Sequence, residues 1–210
     1  LMRKLAKGKS LSLLEITDVI PQGKSSAGQR MSRRDSTAYR YVDIDNMGAG
    51  EFQAKEMHGW ELPSRGRHFA EPLDIFVGAI WSSVSKWCLM PKELQPNTVV
   101  SNGCHRLRFK RGMEKYLPDL AAFLCSETYT TQMRALARGS DGLAEIHEND
   151  LGDVRVPLIQ NEQEKARLKP FVDALVGGRA TLKGTVATML DEGNLNMPLP
   201  PARPHHSSLV

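Results

Sequence analysis

Lys9-Ser10 and Lys24-Ser25 each follow a glycine, the arrangement by which a P-loop sets a lysine and a hydroxyl against nucleotide phosphates. That loop needs another glycine five residues earlier. Arg3 and Asp18 occupy those positions, so neither site is a P-loop. No Gly-x-Gly-x-x-Gly follows a predicted strand, so no dinucleotide fingerprint is present. Cys-x-x-Cys and His-Glu-x-x-His are absent, and with them the common metal-ligand spacings; His205-His206 reads as tail. Gly-x-Ser-x-Gly is missing too. Cys104 and His105 are neighbours in a predicted strand, point to opposite faces and cannot form a nucleophile–base pair. Asp43, Asp45 and Lys55 could make a small magnesium-dependent nuclease site, but the spacing is short and common by chance. The chain also lacks the Asn/Asp-Pro-Pro-aromatic motif with which amino-methyltransferases hold a flipped base, so it is not expected to methylate on its own. No catalytic residue, metal ligand or cofactor is assigned, and binding is what remains.

The elements that would position a binding site change character along the chain. Residues 11–20 form a near-continuous apolar run and read as a strand ended by Pro21-Gln22-Gly23. Residues 23–37 are polar, basic and Ser-rich, which predicts a loop. Residues 39–44 read as the next strand, 46–50 as a turn and 62–69 as a basic connector. Asp74-Ile-Phe-Val-Gly-Ala-Ile-Trp81 is the strongest buried-strand signal, and 86–90 can pair with it across 82–85. Residues 104–109 alternate. Helical spacing then runs from 116 to 136, closed by Gly139 in the C′ position. A short strand is expected at 154–158. Over 161–190, Leu168, Leu175, Leu182 and Met189 recur every seven residues with Val172 and Val186 between them, an a/d seam weakened by Pro170, Gly177-Gly178 and Gly184. The Pro-rich residues 193–210 read as a disordered tail.

The 210 residues are 40% hydrophobic and 25% charged, an ordinary globular composition. No run of about 18 apolar residues predicts a membrane span, and the basic start lacks a secretory core. Leu1 ahead of Met2 suggests a fragment. Three widely spaced cysteines fit a reduced cytoplasmic protein. Charge is uneven. Residues 1–40 carry nine basic groups against three acidic ones, and Arg106, Arg108, Lys110, Arg111 and Lys115 form a second run. Clustered basic residues point to a polyanion or to a solvated charged face.

Six short segments, in order, resemble one target-recognition domain of the specificity subunit of type I restriction–modification systems. Leu13-Leu-Glu-Ile-Thr-Asp-Val-Ile-Pro-Gln-Gly-Lys24 is similar to that family's opening strand and turn, and Tyr41-Val-Asp-Ile-Asp-Asn-Met47 to its next strand. Ser64-Arg-Gly-Arg67 followed by Leu73-Asp-Ile-Phe-Val-Gly78 resembles a third segment, with Leu73 where glycine is usual. Residues 117–131, then Arg138-Gly-Ser140 with Ile146 through Leu158, then Asn161-Glu-Gln-Glu164 complete the order. The family's subunits usually carry two recognition domains and two helices, and this chain has one of each.

The resemblance implies an α+β fold: a β-rich recognition domain with a packed helix over 11–158, followed by a long coiled-coil-like helical arm over 161–192. It implies sequence-specific binding of double-stranded DNA for a partner adenine methyltransferase (modification) subunit, with or without a restriction subunit; the chain is then either a half-subunit that forms a homodimer or the C-terminal part of a methyltransferase fused to its recognition domain. The alternatives are the nuclease above and a protein-interaction adaptor. Candidate DNA contacts are Lys24, Arg30, Arg33 and Arg34 in the loop; Ser64, Arg65 and Arg67 before the buried strand; Trp81, Ser83 and Lys86 after it; and Asn102 and His105. Ion pairing for Arg65 and Arg67, a core position for Trp81 and a turn role for Asn102 compete with these assignments. Leu168, Val172, Leu175, Leu182, Val186 and Met189 are the expected partner-binding seam.

Overall fold

Ser12 and Glu15 close a capping box, which breaks the apolar run 11–20 where a continuous strand was expected. The outcome is β1 (Ser10–Ser12), one helical turn α1 (Leu13–Ile16) and β2 (Thr17–Val19). The computed structural model describes residues 9–23, 28, 30–139 and 143–178. Next come β3 (Ala38–Val42), the hairpin of β4 (Met47–Gly48) and β5 (Glu51–Phe52), and β6 (Lys55–His58). The segment expected to be a connector holds β7 (Gly66–Phe69). It is followed by β8 (Ile75–Gly78), β9 (Trp87–Leu89), β10 (Thr98–Ser101) and β11 (Cys104–Phe109). The helical stretch 116–136 is two helices, α2 (Leu117–Leu124) and α3 (Glu127–Leu136), because the Ser126 hydroxyl caps a fresh N-terminus. Then come β12 (Arg155–Pro157), α4 (Glu162–Arg167) and α5 (Lys169–Val176).

Two four-stranded sheets carry the fold. The first runs β6-β3-β10-β7 and contains one parallel pair, β3 with β10; the second runs β2-β11-β8-β9 and is antiparallel throughout. Ile75, Phe76 and Val77 are apolar on both alternations because β8 is covered on both faces. Ile75 and Val77 pack toward the helices with Leu107, Trp87, Leu120 and Phe123. Phe76 faces the first sheet, among Val42, Val100, Cys88 and Cys104. The far face of the first sheet buries Tyr39, Tyr41, Phe69 and Val99 beneath Leu62 and Met31. The N-terminal strand is tied to the C-terminal part of the described chain, with β1 antiparallel to β12 and Leu11 opposite Val156.

Two expectations need correcting here. Gly139 does not cap a helix. The helix ends at Leu136, and Arg138 bridges to Glu145, so Gly139 at φ +130° sits in a turn. The arm over 161–190 is also not one helix in its described part. Pro170 lies in the first turn of α5 and separates it from α4, and α5 ends at Gly177. Nor does α5 project from the domain. Leu168 packs with Ala122 and Ile159, while Val172 and Leu175 belong to the main core with Phe171. A side chain on Gly50, itself at φ +89°, would meet Leu175 at 2.6 Å, which shows how closely α5 docks on the β4–β5 turn. These three residues therefore stabilise the domain itself and are not a free partner-binding seam. Leu182, Val186, Met189 and the tail lie outside the described residues. Leu175→Ala is expected to cost about 2–5 kcal/mol of stability, read as a lowered midpoint in urea unfolding.

Between the sheets His68 stacks edge-on against Phe76, with ring centroids 5.8 Å apart. Burial, reinforced by the Arg106 charge, lowers its pKa from the ordinary 6.5 to about 4. The imidazole thus stays neutral in the folded chain while the unfolded chain takes up a proton below pH 6.5. Its contribution is unopposed above pH 6.5. Stability falls as pH drops from 6.5 toward 4, by up to about 3 kcal/mol. His68→Phe is expected to flatten this part of the acid dependence, as measured by thermal melts at pH 7 and 4.5.

Candidate nucleic-acid interface

The β10–β11 turn, Asn102-Gly103, marks one end of both sheets. Val42 pairs beside Val100 at the end of β3, Gly66 opens β7 opposite Ser101, and Gly78 closes β8 opposite Cys104. The Ala79 amide donates to the Gly103 carbonyl and the Gly23 amide to the Arg67 carbonyl. The segments 20–23, 30–37, 62–66 and 79–86 are therefore gathered around one turn, and most of the described candidate residues sit on them.

Arg33 builds this end and is not free to meet phosphate. Its guanidinium donates to the carbonyls of Leu62 (2.6 Å), Pro63 (2.7 Å) and Gly66 (2.6 Å), and more weakly to that of Ser64 (3.4 Å). One planar fork thereby locks the 62–66 turn to the preceding loop. Arg30, Arg34, Ser64 and Arg67 remain exposed around it. Ile20, Gln22, Arg30, Arg33, Ser64 and Arg67 line a cleft of about 950 Å³ with Arg106 at its floor. Lys24 lies outside the described residues.

Arg65 is held differently. Its Nη2 donates to Asp43 Oδ2 at 2.5 Å, and the same oxygen accepts the Tyr41 hydroxyl at 3.0 Å. The Arg65 carbonyl accepts the Asn102 amide at 2.7 Å. The Asp43 side chain is 13% exposed and the Arg65 side chain 56%, so the carboxylate is sunk and the guanidinium leans outward from it. Tyr41 and Asp43 hold the Arg65 charge firmly and push its pKa up; burial, chiefly, pushes the Tyr41 phenol up as well. Tyr41 and Asp43 were not recognised as part of this site from the sequence, although their i, i+2 spacing in an extended segment puts them on one face. Asp43 is also the acid of the nuclease reading, and here Arg65 engages it.

The basic run 106–115 is a second correction. Arg106, at 1% exposure, donates from Nε to Asp74 Oδ2 at 2.7 Å, and Arg108 donates from Nε to Asp74 Oδ1 at 2.8 Å. Arg108 Nη2 reaches Glu71 at 2.8 Å, and Lys110 caps the Leu14 carbonyl. The Arg106 and Arg108 charges are thus taken up within the fold, while Arg111 and Lys115 stay exposed.

The later candidates divide. His105 is buried, its Nε2 lies 2.8 Å from the Ile146 carbonyl and burial lowers its pKa, so it is not presented to a ligand. Ser83 is a turn residue. Its hydroxyl donates to the Ile80 carbonyl at 3.0 Å, and its own carbonyl packs where any side chain on Gly78 would be. Trp81 is 44% exposed rather than core, with Arg134 over its ring at 4.9 Å. Arg134 was not singled out from sequence, and helical spacing gives no signal for this contact. Lys86 is half-buried beside Asp45, Asn46 and Gln53. Asn102 presents its backbone to Arg65, as a turn residue does. The Trp60–His58 stack, with centroids 4.7 Å apart, is a further exposed aromatic feature. Among the described residues no group of three or more His, Cys, Asp or Glu could hold a metal ion, and no helix is long and apolar enough to cross a membrane.

Arg33→Ala is expected to loosen the 62–66 turn without unfolding the sheets, since the carbonyls it leaves are near the surface. The loss would read as faster amide hydrogen exchange at residues 62–67, with a melting temperature lowered by only a few degrees, consistent with about 1–3 kcal/mol.

No family model matches the chain, and no curated protein does. Solved structures do. One, from work on complex assembly and conformational transition of the type I R-M system, is 22% identical over 81% of this chain, with a TM-score of 0.57. The HsdS subunit from Thermoanaerobacter tengcongensis is 22% identical over 83%, with a TM-score of 0.56. The chain spans 44% and 43% of the length of those two proteins. The mixed helix-and-sheet fold of this chain is that of part of an HsdS specificity subunit.

Proposed function

We propose that this chain is a DNA target-recognition module of the type I specificity-subunit kind. It binds double-stranded DNA sequence-specifically and confers that specificity on a partner adenine methyltransferase subunit, in the cytoplasm and without chemistry of its own. A restriction subunit can join the same complex, and a second copy of the chain can supply the other half of a bipartite target. The observation that carries the reading is the fold shared with HsdS over four fifths of the chain. Arg30, Arg34, Arg65 and Arg67, exposed around one end of the sheets, support it. Contacts to phosphate set register and supply most of the affinity, while base contacts carry the sequence information.

Because Arg33, Arg106 and Arg108 are engaged within the fold, the electrostatic footprint is smaller than the basic composition suggests. With about three phosphates neutralised, log affinity for duplex DNA is expected to fall with log salt at a slope of roughly −3. The measurement is a salt titration of the full chain on duplex DNA, alone and with a type I methyltransferase subunit. Salt-insensitive binding, methyl transfer by the chain alone, or magnesium-dependent plasmid cleavage by it would overturn the proposal.

A further inference from the structure

The arginines around the Asn102-Gly103 turn are not equivalent. Arg67 is exposed and donates from Nε to the Ser64 carbonyl at 3.1 Å, a bond that leaves its charge intact. Arg65 has a sunk carboxylate behind it, a tyrosine hydroxyl on that same carboxylate, and its own backbone carbonyl tied to the turn. An arginine that meets phosphate needs charge and reach; a fixed rotamer adds little, because the backbone presents charge along its whole length. An arginine that reads a base needs the reverse. Its planar fork must arrive at guanine O6 and N7 in one orientation, and the entropy of holding it there has to be removed beforehand. Asp43 supplies that restraint through Nη2, with Tyr41 also bonded to the guanidinium, and its five donors still allow a two-pronged contact to a ligand. It also cancels much of the Arg65 charge, which weakens its hold on phosphate.

We propose that Arg65 is a guanine-reading side chain of this module, with Asp43 as its positioning residue and Tyr41 fixing Asp43 in turn. The inference rests on the DNA-recognition reading above and narrows it to a particular base contact. Arg67, Arg30 and Arg34 are the matching phosphate contacts. The sunk, tyrosine-bonded Asp43 separates this from an ordinary surface ion pair, in which both groups would be solvated.

The test is selection from a randomised duplex library by the full chain, with the methyltransferase subunit added in a parallel arm, followed by salt titrations on the enriched duplex. The enriched sequence is expected to contain a constrained G·C pair that Arg65→Ala releases. Discrimination at that pair would fall about tenfold to hundredfold, with the other positions and the salt slope nearly unchanged. Arg67→Ala is expected to keep every sequence preference and reduce the slope by about one. Asp43→Asn keeps a side chain able to cap the Asp45 amide while freeing the guanidinium. It is expected to strengthen binding to unselected duplex and to weaken discrimination at the same G·C pair. If Arg65→Ala instead weakens all duplexes equally and lowers the slope by about one, Arg65 is a phosphate contact and the inference is overturned. If Asp43→Asn changes neither quantity, Asp43 does not position it. If the unsubstituted chain binds duplex but enriches no sequence in either arm, the specificity reading itself falls, and the inference with it.

Discussion

Asp74 is the residue that ties the entry of β8 to β11 within the second sheet. It is fully buried, at the entry to β8, and its two oxygens take Arg106 and Arg108 from the neighbouring β11, with Glu71 completing the set. Two guanidiniums face two carboxylates, so the cluster is formally neutral, which is the condition under which charge is tolerated away from water. Both arginines lie on the face of β11 that Cys104 shares, toward the first sheet. Removing one member would strand the others, at a cost of about 3–5 kcal/mol. The same cluster brings the Arg106 charge to His68, and so contributes to the neutrality of that imidazole.

The arginines around the cleft and on β11 fall into three kinds by what lies behind them. Arg106 and Arg108 have buried carboxylates and are structural. Arg33 has backbone carbonyls and orders a turn. Arg30, Arg34 and Arg67 keep their charge at the surface, and Arg65 stands between the kinds, paired yet outward. Composition registers all of these alike. A net-charge argument for a polyanion therefore overstates the interface, and only the partners of each guanidinium say how many charges a ligand meets.

Much of the frame was legible in the sequence because local signals agreed with the tertiary ones. Residues 75–77 are apolar on both alternations since β8 is covered on both faces, and the pairing with 86–90 followed from proximity. The fold likeness was legible from six short segments in order. The sequence misled where a short-range device overrode periodicity. A capping box turned 13–16 helical inside a strand-like run, and Ser126 restarted a helix that the spacing carries straight through. Heptad spacing of Leu168 and Leu175 reports only that one face is apolar, not what covers it; here the same chain covers it, through α2 and the β4–β5 turn. Likewise the alternation of 104–109 could not reveal that the polar face is buried, because Asp74, which makes burial possible, lies about 30 residues away.

These separations bear on which positions can vary without disturbing the sheets. Arg106 lies at the floor of the cleft whose rim holds Arg30, Ser64 and Arg67. Since Asp74 and Glu71 neutralise the floor, the field in the cleft comes from the rim. Rim side chains are set by loops whose backbone bonds end at the Asn102-Gly103 turn and at Arg33, neither of which depends on what residues 64, 65 or 67 present outward. Substitutions there alter the charge and shape of the rim at little cost to the sheets. At Asp74 or Arg106 the same change in charge alters both together, because the ion pair that silences the floor also joins β11 to the entry of β8. The partition of the arginines thus leaves the rim able to vary on a constant frame.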